Sequence, residues 1–346
     1  MGGSTGSFSA FKTIVAGLPE DLNASIFIVW HMSPDIRSLL PDVLNRSGKV
    51  PASEARNCER IKPNHIYVAK PDHHLVIDGQ VIRTTRGPKE NRFRPALDPL
   101  FRSAALTFRN RVIGVVLSGG LDDGTSGLWT VKHFGGVAVV QDPDQADAPS
   151  MPENAIHQVA VDHVVRVEQM AELLTRLSSE TVETPEVVME DEKRIETEVK
   201  IAKEDNAFES GIMELGELSP YTCPDCHGTL TKLWDGKRLR FRCHTGHAFS
   251  ADALLEALTE NIETSMWNAV RGIEEGIMLL DHLGRHLSEE KRTDLALLYF
   301  QKAREAREQA NVIRGTLMQP NGLNDSEIHG EASEDMSSGV VESRAT

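Results

Sequence analysis

RVIGVVLSGGLDDGTSGLWTVKHFGGVAVVQ, Arg111 to Gln141, is the stretch on which the architecture turns. A β-branched run, RVIGVVLS, ends in a loop rich in glycine and aspartate. DGTSGLWTVKHF then spaces its apolar residues as a helix does, and GVAVVQ is a second short apolar run. Apolar runs with no polar face, alternating with helices, belong to a sheet covered on both sides. The pattern extends in both directions. ASIFIVW (Ala24 to Trp30) is another such strand, and Phe8, Phe11, Ile14, Val15 and Leu18 share one helical face before it. SPDIRSLLPDVL, PALDPLFRSAALTF and VEQMAELLTRL read as helices. HIYVAK is a strand, and HLVIDGQVIRTT is a hairpin turning at Asp78-Gly79. The expected fold is α/β, a doubly wound, mostly parallel sheet with a hairpin insertion, over residues 1–179.

The chain has 346 residues, 40% hydrophobic and 26% charged, enough for one full domain and something smaller. It has no apolar run long enough to span a bilayer and no basic leader, so a cytoplasmic protein without membrane insertion is expected. The formal net charge is -15, with much of the acidity between Glu180 and Glu217. Nucleic acid is therefore not an expected partner, because phosphate binding needs clustered Lys and Arg. Residues 180–220, acidic and weakly periodic, are expected to form a solvated linker, and residues 319–346, polar with scattered Gly and Ser, a disordered tail.

Three of the four cysteines fall in residues 221–250. Cys223-Pro-Asp-Cys226 is a C-x₂-C knuckle, Cys243 is followed by His247 at C-x₃-H spacing, and an Asp235-Gly236 hairpin turn between them would bring the pairs together. Three thiolates and an imidazole predict a structural zinc site in a small ribbon, with His244 the rival to His247. Cys58 is expected to be a plain thiol. Lys232, Lys237, Arg238, Arg240 and Arg242 give the ribbon positive charge, but its connection to long amphipathic helices favours docking to protein. Leu255, Leu258, Ile262, Met266, Val270, Ile273, Ile277 and Leu280, then Leu295, Leu298, Ala306, Ile313 and Leu317, step by helical intervals. They predict a helical hairpin or coiled coil over 251–318, with self-association through it, where Met266 and Trp267 would mark a sticky seam.

In an open α/β sheet the chemistry lies in loops leaving the carboxyl ends of the strands. His31 follows one strand, Asp122 and Asp123 follow another, and Ser4 sits in the glycine loop GGSTGS that enters the first helix. Singly, each reads as a cap or boundary residue. Together they supply a hydroxyl, a base and an orienting carboxylate, with Gly2, Gly3 and Gly6 allowing tight backbone and helix-start N–H groups facing an oxyanion. Phosphate binding is the rival for this loop, but it matches neither GK[ST] nor GxGxxG. A nucleophile loop here should follow a central strand of several residues. Only Met1 to Gly3 stand before it, so either the reading frame begins upstream or Ser4 is poorly positioned.

GGSTGS, VWHMSPDIRSLLPDVLN, RPALDPLFRSAA, VVLSGGLDDGTSG and PSMPENAI, in this order, resemble the catalytic domain of CheB-type protein-glutamate methylesterases of bacterial chemotaxis. The resemblance covers about half the chain. It implies Ser4 as nucleophile, His31 as base and Asp123 rather than Asp122 as the acid, with Thr5, Gly6 and Gly120 in the oxyanion loop. It further implies hydrolysis of glutamyl methyl esters on a chemoreceptor, with glutamine deamidation as a companion reaction, and a methyltransferase or sensor kinase among the partners. No cofactor is implied for catalysis. Gly120 replaces the methionine of the family's GMGNDG-like loop, and Asp122 adds a second acid. There is no room for the family's N-terminal receiver domain, so receiver control is expected to be absent. The alternative expectation is a catalytically inactive scaffold acting through its ribbon and helical hairpin.

Overall fold

The computed structural model describes residues 1–35, 38–182, 189–204 and 207–319. In chain order the elements are β1 (Gly2–Gly3), α1 (Ser7–Gly17), β2 (Ser25–Trp30), α2 (Leu40–Ser47), β3 (Ala52–Glu54), β4 (Glu59–Arg60), β5 (His65–Val68), β6 (His74–Asp78) and β7 (Val81–Thr85). There follow α3 (Leu97–Phe108), β8 (Ile113–Val116), α4 (Thr125–His133), β9 (Val137–Gln141), α5 (Ser150–Gln158), β10 (His163–Val165), α6 (Val167–Ser179) and α7 (Met189–Glu204). The chain continues through β11 (Glu217–Thr222), β12 (Thr229–Asp235), β13 (Arg238–Cys243), β14 (Ala248–Ser250), α8 (Ala251–Glu289) and α9 (Thr293–Leu317). It divides into two compact units, Met1–Leu254 and Leu255–Thr346.

The main sheet runs β10-β9-β8-β1-β2-β5-β3, and its strand pairs are parallel. Neighbouring residues of one strand serve opposite cores. Ile28 and Val115 pack with Phe11, Ile14, Leu44 and Met170 of α1, α2 and α6. Val29 and Val116 pack with Leu97, Leu100, Phe101, Leu128 and Val131 of α3 and α4. Fully burying each such side chain contributes roughly 1.5–3 kcal/mol, which is why the strands lack a polar face. The insertion is a three-stranded antiparallel sheet, β4-β7-β6. Asp78 pairs with Val81, so the turn residues are Gly79 and Gln80, one place later than expected. Asp235 pairs with Arg238 in the same way, and the turn there is Gly236-Lys237. The helix expected over SPDIRSLLPDVL begins only at Leu40, with Pro41 in its first turn; Ile36 and Arg37 lie outside the described residues.

β1 is the shortest strand of the sheet and stands at its centre, between β2 and β8. It is nevertheless paired on both sides. The Val29 N–H donates to the Met1 carbonyl, that of Leu117 to Gly2, and that of His31 to Gly3. This ladder ties the residues just before Ser4 to both neighbouring strands. An apolar cavity of about 600 Å³ is lined by Met1, Phe27, Leu100, Phe101 and Val115 among others.

The acidic segment is not a solvated linker throughout. Residues 189–204 form α7, and its Ile195, Val199 and Ala202 complete the core beside α3. The i, i+4, i+7 stripe is only three residues wide and is masked by surrounding charge. Glu198 on the same face is fully buried, a position that composition alone would assign to solvent. Residues 183–188 and 205–206 lie outside the described residues. The ribbon, a four-stranded antiparallel sheet β11-β12-β13-β14, belongs to the same compact unit as the parallel sheet. It is fastened by buried ion pairs: Glu198 with Arg240 and Arg242, Glu90 with Arg102 and Arg242, and Asp235 with Arg194 and Arg240.

The second unit is an antiparallel hairpin of α8 and α9, bridged by Arg307 to Asp281 and by Arg314 to Glu274. On α8 Val270 and Ile277 are buried as expected. On α9 the buried seam is Ala296, Ala303 and Ala310, spaced by seven, whereas Leu298 is 57% exposed. Small alanines let two helices approach closely and turn the larger Leu298 outward. Trp267 and Ile262 are partly exposed. Apart from Gln319, the expected disordered tail lies outside the described residues. Among the described residues no helix is long and apolar enough to cross a membrane.

Candidate active site

The chain winds away from β1 in both directions, toward β2 on one side and β8 on the other, so the carboxyl end of β1 is the switch point of the sheet. Such a point leaves a crevice. Ser4 leaves β1 into it, His31 leaves β2, and the loop Ser118–Gly124 leaves β8. The pairs Gly2 with Val29 and Gly3 with Trp30 set Ser4 and His31 at the next register position on adjacent parallel strands, whose spacing is about 4.8 Å. The sequence-predicted residues are thus brought together.

His31 Nε2 lies 2.7 Å from Asp123 Oδ2, and both side chains are buried. An ionised carboxylate only accepts, so Nε2 carries the proton and donates it to Asp123. Nδ1 is then the unprotonated nitrogen. It is buried without a hydrogen-bond partner among the described residues, on the ring of a residue whose strand neighbour is Ser4. Phe93 stacks on the imidazole with centroids 3.9 Å apart and planes 11° from parallel, which fixes the ring's tilt.

Asp123 also caps a helix from outside it. The N–H groups of Leu97 (2.6 Å) and Asp98 (3.4 Å), the first residues of α3, donate to its carboxylate, and Asn91 Nδ2 adds a third donor at 3.1 Å. Ala96, at the N-cap position, has no side-chain cap to offer. Burial pushes the Asp123 pKa upward, but the hydrogen bonds from His31, the Leu97 N–H and the Asn91 amide outweigh it and hold it below the usual value. Asp98 behaves oppositely: burial first, then the charge of Asp123, push it up to about 7. It accepts from the Gly127 N–H at 2.6 Å and from Asn91 Nδ2 at 2.9 Å. The Asp122 carboxylate is bound instead by Arg238 and by Ser250 Oγ, so of the two adjacent aspartates it is Asp123 that pairs with His31.

The Ser4 loop is held from β8. Its N–H donates to the Ser118 carbonyl at 2.9 Å, and Ser118 Oγ donates to the Thr5 carbonyl at 2.7 Å. The Ser118 N–H is itself held by Gln141 Oε1 at 2.9 Å. The Ser4 N–H is thus occupied, and the Thr5-Gly6 turn leads into α1 at Ser7. Gly6 has φ 80, a conformation that suits glycine. Gly119 faces the Ser4 Cβ and the Met151 sulfur so closely that any side chain there would collide, while Gly120 faces open space. Asn91, Arg92 and Leu121 have left-handed backbone, uncommon for non-glycine residues. Sequence reading missed Asn91, Phe93, Asp98, Ser118 and Gln141, which act by position in the fold. The one local signal was a buried-type apolar context around Asp98 in PALDPLF.

The ribbon gathers Cys223, Cys226, Cys243 and His247, whose ligand atoms lie within 4.8 Å of one another. Cys226 and Cys243 Sγ are 3.6 Å apart, and His247 Nδ1 is 3.7 Å and 3.6 Å from the sulfurs of Cys223 and Cys243. A tetrahedron with zinc–sulfur bonds of about 2.3 Å has edges of about 3.8 Å, so the set fits such an ion. Asp225 lies 4.0 Å from His247 Nε2, where a carboxylate would orient the ligand ring. His244 is exposed and outside the cluster.

A parallel, doubly wound sheet whose switch-point crevice gathers a serine, a histidine and a buried carboxylate defines an α/β enzyme. The chain belongs to the CheB methylesterase family, whose model matches residues 1–174. A protein-glutamate methylesterase/protein-glutamine glutaminase of Photorhabdus laumondii is 35% identical over 185 residues, 52% of this chain and 52% of that one. A relative of the same designation from Leptospira interrogans is 36% identical over 184 residues, 53% of this chain and 95% of its own length. The crystal structure of the Thermotoga maritima CheB methylesterase catalytic domain is 30% identical with a TM-score of 0.50, covering 51% of this chain and 95% of that domain. The ribbon and the α8–α9 hairpin lie outside the residues matched by the family model.

Proposed function

We propose that the protein is a serine-dependent protein-glutamate methylesterase of chemotaxis-type signalling, acting on methylated glutamates of a chemoreceptor. The observation that carries this is the buried His31–Asp123 pair with its free Nδ1 beside the Ser4 register position. Ser4 Oγ attacks the ester carbonyl while His31 Nδ1 accepts its proton. Asp123 keeps Nε2 protonated, and its charge stabilises the imidazolium that forms. N–H groups of the Thr5-Gly6 turn receive the oxyanion, with Gly120 leaving space above the reacting carbonyl. The imidazolium protonates the departing methoxide, releasing methanol. Water, deprotonated by His31, then attacks the acyl-serine, and the glutamate leaves with Ser4 restored. A glutamine side chain would follow the same course with ammonia as the leaving group.

The ribbon holds a structural zinc ion on Cys223, Cys226, Cys243 and His247, which supplies folding energy to a small sheet and no step of the reaction. A cytoplasmic location, docking of the ribbon or hairpin to a signalling protein such as a methyltransferase or kinase, and self-association through α8 and α9 belong to the same reading. The ladder on both sides of β1 favours an enzyme over an inactive scaffold. Methanol release from a methylated receptor, compared between the protein and Ser4→Ala, is the test. A Ser4-dependent rate supports the esterase, and equal, negligible rates refute it.

A further inference from the structure

The buried side chain of Asn91 is engaged on both sides. Nδ2 donates to Asp123 Oδ1 and Asp98 Oδ2, and Oδ1 accepts the Ser250 N–H at 3.0 Å. Two carboxylates on one side and an N–H on the other permit a single orientation of the amide, since rotating it would set donors against a donor and an acceptor against carboxylates. Its backbone is gripped by the same strand: the Asn91 N–H donates to the Ala248 carbonyl at 2.8 Å, and the Ala248 N–H to Lys89 at 3.1 Å. Ala248 and Ser250 are β14, which starts immediately after His247. β14 is paired to β13, which ends at Cys243, and the turn between them is closed by the Cys243 N–H on the His247 carbonyl at 3.0 Å. The ribbon also holds the residue beside the crevice carboxylate. Ser250 Oγ donates to Asp122 Oδ1 at 2.7 Å, and Arg238 pairs with the same carboxylate.

We infer that Asn91 is a positioning residue for the Asp123 carboxylate and that the metal-bound ribbon, through β14, holds it there, so that ribbon metal occupancy sets the turnover of a site the metal never touches. This rests on the esterase reading above. Without the ion, the side chains of Cys243 and His247 at the two ends of the turn are no longer tied to Cys223 and Cys226, so β14 is held less firmly and, with it, the Asn91 donor that keeps Asp123 aimed at His31 Nε2.

The test is a cycle on the full-length protein: wild type, Asn91→Ala, Cys226→Ser and the double variant, with methanol release from a methylated receptor fragment as readout. Asn91→Ala in zinc-loaded protein is expected to lower kcat about ten- to hundredfold with KM within about twofold. Cys226→Ser is expected to lower kcat of the wild type similarly and to leave that of Asn91→Ala nearly unchanged. Losses that multiply in the double variant overturn the inference. If Cys226→Ser does not fold, Asn91→Ala decides alone, and a kcat within about twofold of wild type overturns it. Should the wild type show no Ser4-dependent rate, the esterase reading fails, and hydrogen exchange then decides the positioning. The Leu97 N–H, which donates to Asp123, should exchange faster in protein stripped of zinc by a chelator, and unchanged exchange refutes the coupling.

Discussion

Glu198→Gln tests whether the ribbon is bound to the parallel sheet by the buried charges. Glu198 Oε1 accepts from Arg240 Nη2 at 2.7 Å and Arg194 Nη1 at 3.1 Å, and Oε2 from Arg240 Nη1 and Arg242 Nη2, both at 3.0 Å. The isosteric amide has one acceptor, so in either orientation its NH₂ meets an arginine fork. The cluster also changes from four arginines (Arg102, Arg194, Arg240, Arg242) against three carboxylates (Glu90, Glu198, Asp235) to four against two. Removing one partner of a buried ion pair costs about 3–5 kcal/mol, a large part of a typical total stability of about 5–15 kcal/mol. At about 2–4 °C per kcal/mol for a unit of this size, the melting temperature should fall by roughly 6–20 °C. The loss depends on pH. Burial raises the Glu198 pKa, but Arg240, Arg102 and Arg242 hold it well below the usual carboxylate range. Its contribution is therefore present above the unfolded pKa near 4.5 and disappears as pH falls through the folded value. Calorimetry at neutral and acid pH should show the variant's deficit at the first and its shrinkage at the second. A loss below about 1 kcal/mol at neutral pH, the range of exposed pairs such as Arg307–Asp281, would refute the view that these charges are desolvated and mutually dependent.

Asp123→Asn should lower kcat by about 10⁴, the scale seen when a triad acid loses its charge, as measured by methanol release. The neighbouring glycines should differ sharply. Gly119→Ala forces Met151 and Ser4 apart and should cost about 1–3 kcal/mol in a denaturant titration as well as activity, whereas Gly120→Ala should be within about 0.5 kcal/mol of wild type. With Asp98 raised from 3.8 to about 7 in the folded state, the folded protein holds a proton that the unfolded chain releases. Stability from this group should therefore fall as pH rises from about 4 to about 7, and Asp98→Asn should flatten that slope in denaturant titrations. Purified protein should contain equimolar zinc, lost in Cys226→Ser, by elemental analysis.

The parallel sheet was legible because a strand buried on both faces has to be apolar throughout, and ASIFIVW, RVIGVVLS and GVAVVQ say so locally. The crevice residues were legible as a set for a related reason: loops after such strands share one edge, so Ser4, His31 and Asp123 could be placed together without knowing any distance. The clustering of Cys223, Cys226, Cys243 and His247 followed from spacing, because a knuckle and a hairpin turn constrain a short chain. Helix α7 was misjudged, since three apolar residues among many charges cannot outweigh composition, and what stabilises it is an arginine cluster contributed by distant segments.

The sequence by itself determined which side chains could do chemistry and on which class of scaffold, because strand and helix periodicities and turn residues act over a few neighbours. Only the tertiary structure shows that His31 pairs with Asp123 while Asp122 is taken by Arg238 and Ser250, that His247 and not His244 joins the three cysteines, and that β1 is paired on both sides. It alone showed that the ribbon reaches the crevice carboxylate through Asn91. Those outcomes depend on hydrogen-bond partners more than a hundred residues apart, such as Ser250 and Asn91, and on burial, which turns a surface-type residue like Glu198 into an anchor once arginines surround it.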